Sequence, residues 1–207
     1  DVYSFTLPGH DTNATKIKME DWIKSCEEHV EMLINFGYKN IYVIGHSMGG
    51  VMSAYVASKY KEIKKLVLAA PAFHYLKVEN DNMNLIDSFK TSMDVIKEYS
   101  GEEVISRFLR MPANAVKEFI ELVKTYYPCV RDVFTPTLII EGTKDIIVPM
   151  SSANYVYDNI KSKEKYLLVV KDINHDIFRS KRREEVTDYV IKFLKSSNKI
   201  VDKKINI

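Results

Sequence analysis

The stretch IYVIGHSMGGVMSAYVA, residues 41–57, decides the fold of this chain. Four residues suited to a buried strand (41–44) run into GHSMGG at 45–50, and small and apolar residues suited to a helix follow. Three of the seven glycines in the whole chain fall within these six residues. A strand that turns abruptly into a helix can hold one side chain at the tip of the turn, above the sheet. The stretch therefore predicts that Ser47 is presented at such a turn.

The residues around Ser47 fit this interpretation. Gly45 and Gly49 are expected to avoid collisions in a strained turn, and Gly50 to let the helix pack close to the sheet. The N–H of Met48, at the helix start, is expected to point to where negative charge develops on an attacked carbonyl. The alternative is the glycine-rich turn of a nucleotide-binding fold, but the GxGxxG pattern and the P-loop lysine that it requires are both absent.

Strand-like and helical segments alternate along the rest of the chain. Five strands are predicted, at residues 2–7, 40–45, 65–70, 137–142 and 166–171. Apolar residues recur at three- and four-residue steps over 17–34 and 186–194, which predicts amphipathic helices, the first ended by Gly37. The lysine-rich tail beyond Ser196 is expected to be frayed. This alternation predicts an α/β fold, with a mostly parallel sheet covered by helices on both faces.

Residues 73–131 interrupt the alternation, because they contain no convincing strand and many apolar residues at helical spacing. We interpret them as a small helical cap inserted between two parts of the core, residues 1–72 and 132–207. The apolar residues of the cap would suit an acyl chain, although most of them are expected to pack the cap helices against one another. They are Met83, Leu85, Ile86, Phe89, Met93, Phe108, Leu109, Met111 and Phe119.

The bulk composition excludes several classes of protein. The chain has 207 residues, 46% of them hydrophobic, and a formal charge of +2. That charge is too balanced to indicate a nucleic-acid partner, and no apolar run approaches the roughly 18 residues of a membrane-spanning helix. Cys26 and Cys129 are too few for a disulfide framework, so a reducing, cytoplasmic compartment is expected. The oligomeric state stays open.

A serine hydroxyl becomes a nucleophile when a neighbouring base takes its proton. Five histidines compete for that role. His175 lies just beyond the last predicted strand, where a loop at the C-terminal edge of a parallel sheet can reach Ser47. His46 lies inside the turn itself and is expected to point away from the hydroxyl.

The base in turn needs an acid to orient it. Asp145 lies three residues beyond the predicted strand 137–142, whereas Glu141 lies within that strand and is less free to move. The order Ser47, Asp145, His175 is the serine–acid–histidine order of one large class of hydrolases. The 98 residues between the serine and the acid are the separation that an inserted cap would produce.

These segments resemble the α/β-hydrolase superfamily. The resemblance rests on GHSMGG, LIIEGTKDIIVP at 138–149, INHD at 173–176 and LPGHD at 7–11, and it covers residues 1–196. Within the superfamily, the short helical insertion is most similar to bacterial carboxylesterases and monoacylglycerol lipases. The resemblance implies a serine hydrolase that cleaves a small-molecule ester, with short-to-medium acyl esters or monoglycerides as substrates. It implies no metal and no organic cofactor.

The resemblance also implies the roles of the site residues. Ser47 would be the nucleophile, His175 the general base and then acid, Asp145 its orienting acid and Met48 one donor to the oxyanion. The same residues would serve a thioesterase, an aminopeptidase or a C–C hydrolase. A non-catalytic ligand-binding protein with this fold is the alternative from a different class.

One departure from the family concerns the N-terminal part of the sheet. The family has eight strands and only the last five are visible, with residues 2–7 as the fourth. The third strand, which carries the second oxyanion donor, would normally lie between that strand and strand 40–45. We therefore expect the natural polypeptide to extend upstream of Asp1 and to supply the second donor from there.

Overall fold

The computed structural model describes residues 1–10, 16–74, 114–197 and 201–207. The strands are β1 (Ile41–His46), β2 (Ile63–Ala69), β3 (Thr137–Gly142), β4 (Glu164–Val170) and β5 (Val201–Asn206). The helices are α1 (Met19–Asn35), α2 (Met48–Lys59), α3 (Ala115–Tyr126), α4 (Met150–Asn159) and α5 (Arg183–Lys195), with short 3₁₀ helices at Tyr127–Asp132 and Ile177–Arg179. Within these ranges the strands form one parallel sheet in the order β1-β2-β3-β4-β5.

Alternate residues of the central strands face two separate apolar clusters. Leu66 and Leu68 of β2 are fully buried in a cluster with residues of α1, α2, α3 and α4. Val67 and Ala69, which alternate with them, pack in a second cluster that includes Phe193 of α5. Successive side chains of a strand point to opposite faces, so the sheet is covered by helices on both sides. The predicted α/β architecture is confirmed.

Helix α1 follows the predicted apolar spacing. It buries Trp22, Cys26 and Val30 on the face that packs into the first cluster. Gly37 follows the helix with a φ of 90°, and its N–H donates to the carbonyl of Ile34 at 2.9 Å. This left-handed residue closes the helix where the sequence predicts, since glycine adopts such a φ without strain.

The prediction of a strand at residues 2–7 is wrong. Residues 1–6 are exposed and form no strand. The Phe5 ring stacks instead on the His29 ring of α1, with ring centroids 3.9 Å apart. A strand needs a neighbour to take its backbone hydrogen bonds. Among the described residues β1 is an edge strand that pairs with β2 alone, so residues 2–7 have no partner in the sheet. The other four predicted strands are confirmed, with ends within two residues.

The prediction of a frayed tail is also wrong. Residues Val201–Asn206 form β5, which pairs in parallel with β4 from Glu164 to Val169. Ile205 packs against the second apolar cluster, whereas the lysines of β5 are exposed. Exposed lysines are common on edge strands, because their charges oppose pairing with other chains.

The cap predicted at residues 73–131 lies only partly within the described residues. Its end, residues 114–131, forms α3 and a 3₁₀ helix that pack against α1 and α2. Phe119 is half-buried there, and the other eight apolar residues named for the cap lie outside the described residues. None of the helices that the structure describes is long and apolar enough to cross a membrane.

Candidate active site

Ser47 occupies a strained turn between β1 and α2. Its φ is 56° and its ψ −121°, a left-handed conformation that a side chain disfavours. The turn is held by backbone hydrogen bonds, because the Ser47 N–H donates to the carbonyl of Ala69 at 2.9 Å. The Ser47 carbonyl in turn accepts from the N–H groups of Gly50 and Ala72, at 2.9 and 3.1 Å. The end of β2 thus fixes the turn that presents the serine.

Two of the three glycines of the turn are required by close contacts. A Cβ on Gly45 would collide with the hydroxyl of Ser53 and with the carbonyl of Gly49, and one on Gly50 would lie 2.9 Å from Cα of Pro71. A Cβ on Gly49 would meet nothing within 4 Å. The expectation that Gly49 avoids a collision is therefore wrong, since the crowding at this point involves its backbone rather than the space for its side chain.

Met48 is the first residue of α2, directly after Ser47. The first N–H groups of a helix have no partner within that helix, and they carry the positive end of the helix dipole. The Met48 N–H is therefore suited to donate a hydrogen bond to an oxygen on which negative charge develops.

Asp145 and His175 are brought together by two neighbouring loops. The Nδ1 atom of His175 lies 2.7 Å from Oδ2 of Asp145, whose side chain is 0% exposed. The other oxygen, Oδ1, accepts from the N–H groups of Ile147 and Val148 at 2.8 and 2.9 Å. These bonds hold the carboxylate in one orientation, and a proton on Nδ1 leaves Nε2 of His175 free to act as a base.

The loops that carry this pair are joined to each other. The Lys144 N–H donates to the carbonyl of Ile173 at 2.9 Å, and the Asp172 N–H donates to the hydroxyl of Thr143 at the same distance. A surface ion pair between Lys144 and Asp172, also 2.9 Å, lies beside them. The loop after β3 and the loop after β4 are therefore held as a unit.

His46 contributes to the position of His175 in a way that the sequence did not indicate. Its Nε2–H donates to the backbone carbonyl of His175 at 2.9 Å, and the two rings lie 4.7 Å apart between centroids. Burial first, and then the nearby His175, lower the pKa of His46, which keeps this ring neutral. The prediction that His46 points away from the hydroxyl gave it no role, because a contact between residues so distant in sequence leaves no local signal.

The other histidines lie elsewhere. His10 belongs to the turn at 7–10, His29 bonds to the carbonyl of Ser25 in α1, and His74 bonds to Ser151 and Tyr127. His175 is thus the histidine that the structure joins to a buried acid. Among the described residues, the Ser47 hydroxyl forms no hydrogen bond with His175. Such bonds often tighten only in the substrate complex.

Neither cysteine competes with Ser47 as a nucleophile. Burial raises the pKa of both Cys26 and Cys129 to about 12, so each remains a protonated thiol. Both are free rather than disulfide-bonded. The described part of the chain contains no cluster of three His, Cys, Asp or Glu side chains that could hold a metal ion.

The fold and the site geometry define an α/β-hydrolase, and comparison with known proteins gives the family. The profile of the serine aminopeptidase S33 family matches residues 2–182. The chain belongs to this family.

The chain is also similar to curated relatives, and it shares its fold with a solved structure. The chain is 26% identical over 178 residues to a carboxylesterase of Bacillus subtilis (strain 168), covering 84% of this chain and 72% of the esterase. It is 23% identical to a monoacylglycerol lipase of Mycolicibacterium smegmatis, covering 74% of this chain and 61% of the lipase. The crystal structure of a Paleococcus ferrophilus monoacylglycerol lipase superimposes with a TM-score of 0.65 at 16% identity, over 88% of this chain and 77% of that one.

Proposed function

We propose that this chain hydrolyses carboxylic esters through an acyl-enzyme on Ser47. The observation that carries the proposal is the 2.7 Å contact between His175 and the fully buried carboxylate of Asp145. It stands beside a strained serine at a strand-to-helix turn in the same chain, Ser47. The names of the relatives, carboxylesterase and monoacylglycerol lipase, support an ester as the bond that is cleaved.

In the first half of the reaction, Oγ of Ser47 attacks the acyl carbon while Nε2 of His175 takes the hydroxyl proton. Negative charge moves to the carbonyl oxygen, which accepts a hydrogen bond from the Met48 N–H. The tetrahedral intermediate then collapses and the C–O bond to the alcohol breaks. His175 returns the proton to the departing alcohol, which leaves the acyl group on Ser47.

In the second half, water attacks the acyl-enzyme and His175 again serves as the base. The acid is released and Ser47 regains its proton. Asp145 takes no proton in either half. Its charge stabilises the imidazolium form of His175, and its hydrogen bond keeps Nε2 directed to the serine.

The acyl-enzyme step distinguishes this proposal from a ligand-binding protein with the same fold. Mixing the protein with an excess of p-nitrophenyl butyrate should release a burst of about one equivalent of nitrophenol per chain, followed by slower turnover. Ser47→Ala should show no burst although it folds normally. Steady binding of the ester without nitrophenol release would support the non-catalytic alternative instead.

A second candidate function is the removal of amino acids from peptides, because the matching family is described as serine aminopeptidases. The same triad can cleave an amide, so the residues alone do not decide between the two bonds. The comparison is made between substrates with the same leaving group, because p-nitrophenyl esters are intrinsically more reactive than anilides. We expect amino-acid p-nitroanilides to be hydrolysed no faster, in kcat/KM, than the p-nitroanilide of butyric acid. A clear preference for the amino-acid derivatives would establish the peptidase.

We further propose that residues 73–131 act as a cap over the site, between the core segments 1–72 and 132–207. The described end of this segment is helical, as α3, and this supports the division. Substrates would then be short-to-medium acyl esters or monoglycerides, as a series of p-nitrophenyl esters of increasing chain length would establish. The free Cys26 and Cys129 support the proposal of a reducing, cytoplasmic compartment.

A further inference from the structure

Glu141 is a buried carboxyl that the mechanism does not use. It is the fifth residue of β3, four positions before Asp145, and it is 0% exposed. Its Oε1 accepts a hydrogen bond from the N–H of Gly142 at 3.0 Å. Its register partner on β4 is Val169, which offers neither charge nor a polar side chain. Burying a carboxyl here requires an explanation, because an unpaired buried charge is costly.

The surroundings of Oε2, the second oxygen of Glu141, suit a protonated carboxyl better than an ionised one. Taken as a carboxylate, Glu141 finds no hydrogen-bond donor for Oε2 among the residues that the structure describes. The charged group that acts on it is the carboxylate of Asp145. An ionised carboxyl only accepts hydrogen bonds, so two ionised neighbours would repel each other, whereas a protonated one donates.

Asp145 is the member of this pair that has hydrogen-bond donors at both of its oxygens. It already accepts from the N–H groups of Ile147 and Val148 and from His175. Hydrogen bonds donated to a carboxylate favour its charged form. Glu141 receives one such bond, from Gly142, and is the carboxyl that can keep a proton.

We propose that Glu141 is a proton-carrying positioning residue, which donates a hydrogen bond from Oε2 to Asp145 and thereby holds the carboxylate that orients His175. The inference rests on the function proposed above, since it takes Asp145 as the acid of the triad. Burial first, and then the negative charge of Asp145, raise the pKa of Glu141 to about 10, against the opposite effect of the Gly142 N–H.

Two substitutions separate the hydrogen bond from the charge. Glu141→Gln keeps an acceptor for Gly142 and supplies an N–H donor for Asp145, so kcat should stay within about threefold of the wild type. Glu141→Met fills a similar volume without either bond, and kcat should fall at least about tenfold with little change in KM. If Glu141 only filled space, the two variants would have similar kcat values.

The pH dependence of unfolding tests, without a substrate, whether Glu141 is protonated in the folded protein. A carboxyl that is neutral in the folded protein and ionised in the unfolded chain makes folding take up a proton, so stability falls as the pH rises between the two pKa values. The ratio of the unfolding constants of wild type and Glu141→Gln should therefore rise, by up to about tenfold per pH unit, between about pH 6 and about pH 9. Urea titrations across that range give the ratio.

Glu164→Gln is a matched control, because Glu164 is also a buried glutamate on a neighbouring strand. Its carboxylate pairs with Lys65 at 3.5 Å, and it lies at the start of β4, whereas the triad loops follow the ends of the strands. This variant should lose stability, because it leaves Lys65 without that ionised partner. The ratio of the unfolding constants of wild type and Glu164→Gln should not rise by about tenfold per pH unit over the same range, and kcat should be unchanged.

Several results would overturn the inference. A flat ratio of unfolding constants would show that Glu141 is ionised in the folded protein. A Glu141→Gln protein that is as slow as Glu141→Met, or that fails to fold, would show that the charge rather than the donor is needed. If Glu141→Met does not fold, the infrared band of a protonated carboxyl in the wild type, lost in Glu141→Gln, replaces that comparison. A wild type that cleaves no ester while its ratio still rises with pH would contradict the proposed function and leave the proton on Glu141 established.

Discussion

Replacing Asp145 by asparagine changes a single oxygen of the site to an amide nitrogen, and the structure determines where that nitrogen goes. Oδ1 of Asp145 accepts two backbone N–H groups and Oδ2 faces Nδ1 of His175. Turning the amide nitrogen toward the backbone would leave two buried N–H groups unpaired, at a cost of about 1–3 kcal/mol each. The NH₂ group of the variant therefore faces His175.

This orientation reverses the tautomer of the histidine. An N–H donor opposite Nδ1 makes Nδ1 the acceptor, so the proton of neutral His175 moves to Nε2, which can no longer take the proton of Ser47. In serine–histidine–aspartate triads, the wrong tautomer lowers kcat by about 10⁴. We expect a similar loss for Asp145→Asn, which corresponds to about 5.4 kcal/mol in activation free energy.

The assay is the steady-state hydrolysis of p-nitrophenyl butyrate, with thermal unfolding of each variant as the check on folding. The loss should fall on kcat rather than KM, because Asp145 does not touch the substrate. Asp158→Asn, at an exposed position near the end of α4, is the control and should keep the wild-type rate. A folded Asp145→Asn protein that retains more than about a tenth of the wild-type kcat would refute the reasoning.

The remaining predictions concern the turn and His46. Gly45→Ala should destabilise the protein by about 1–3 kcal/mol, since its Cβ collides with neighbouring atoms, whereas Gly49→Ala should cause no loss; urea unfolding measures both. Ser47→Gly should be more stable than Ser47→Ala by about 1 kcal/mol, because glycine relieves the φ of 56°; equal stabilities would contradict the strain. The pKa of His46 is lowered, so the unfolded chain takes up a proton there below about pH 6.5 and stability falls as the pH falls. His46→Gln should reduce this loss of stability at acid pH, and it keeps a donor to the His175 carbonyl. His46→Leu, which has no donor, should lower kcat about tenfold. Identical kinetics of the two variants would argue against a role for the donor.

The features that could be predicted from the sequence are those whose cause is local. The turn at Ser47 combines a strand, glycines and a helix within one short stretch, and the structure has β1 and α2 on either side of it. The strand at 137–142 and the positions of Asp145 and His175 after successive strands follow from the same kind of pattern. Parallel strands bring such loops to one edge, and this explains why the acid and the histidine meet.

The features that could not be predicted depend on partners that are distant in the chain. Residues 2–7 have the composition of a strand, but a strand also needs a neighbour, and composition does not report one. The lysines of Val201–Asn206 suggested a frayed tail, although β4 was available to pair with it. The contact of His46 with the His175 carbonyl and the burial of Glu141 beside Asp145 likewise depend on tertiary packing, which no local pattern indicates.

The central claim is that Ser47 is an activated nucleophile, and the most direct test is the intact mass of the protein after incubation with a serine-directed fluorophosphonate. The account predicts one adduct per chain on the wild type, none on Ser47→Ala and strongly slowed labelling of Asp145→Asn. A folded wild type that gains no adduct, or an adduct that persists in Ser47→Ala, would contradict it.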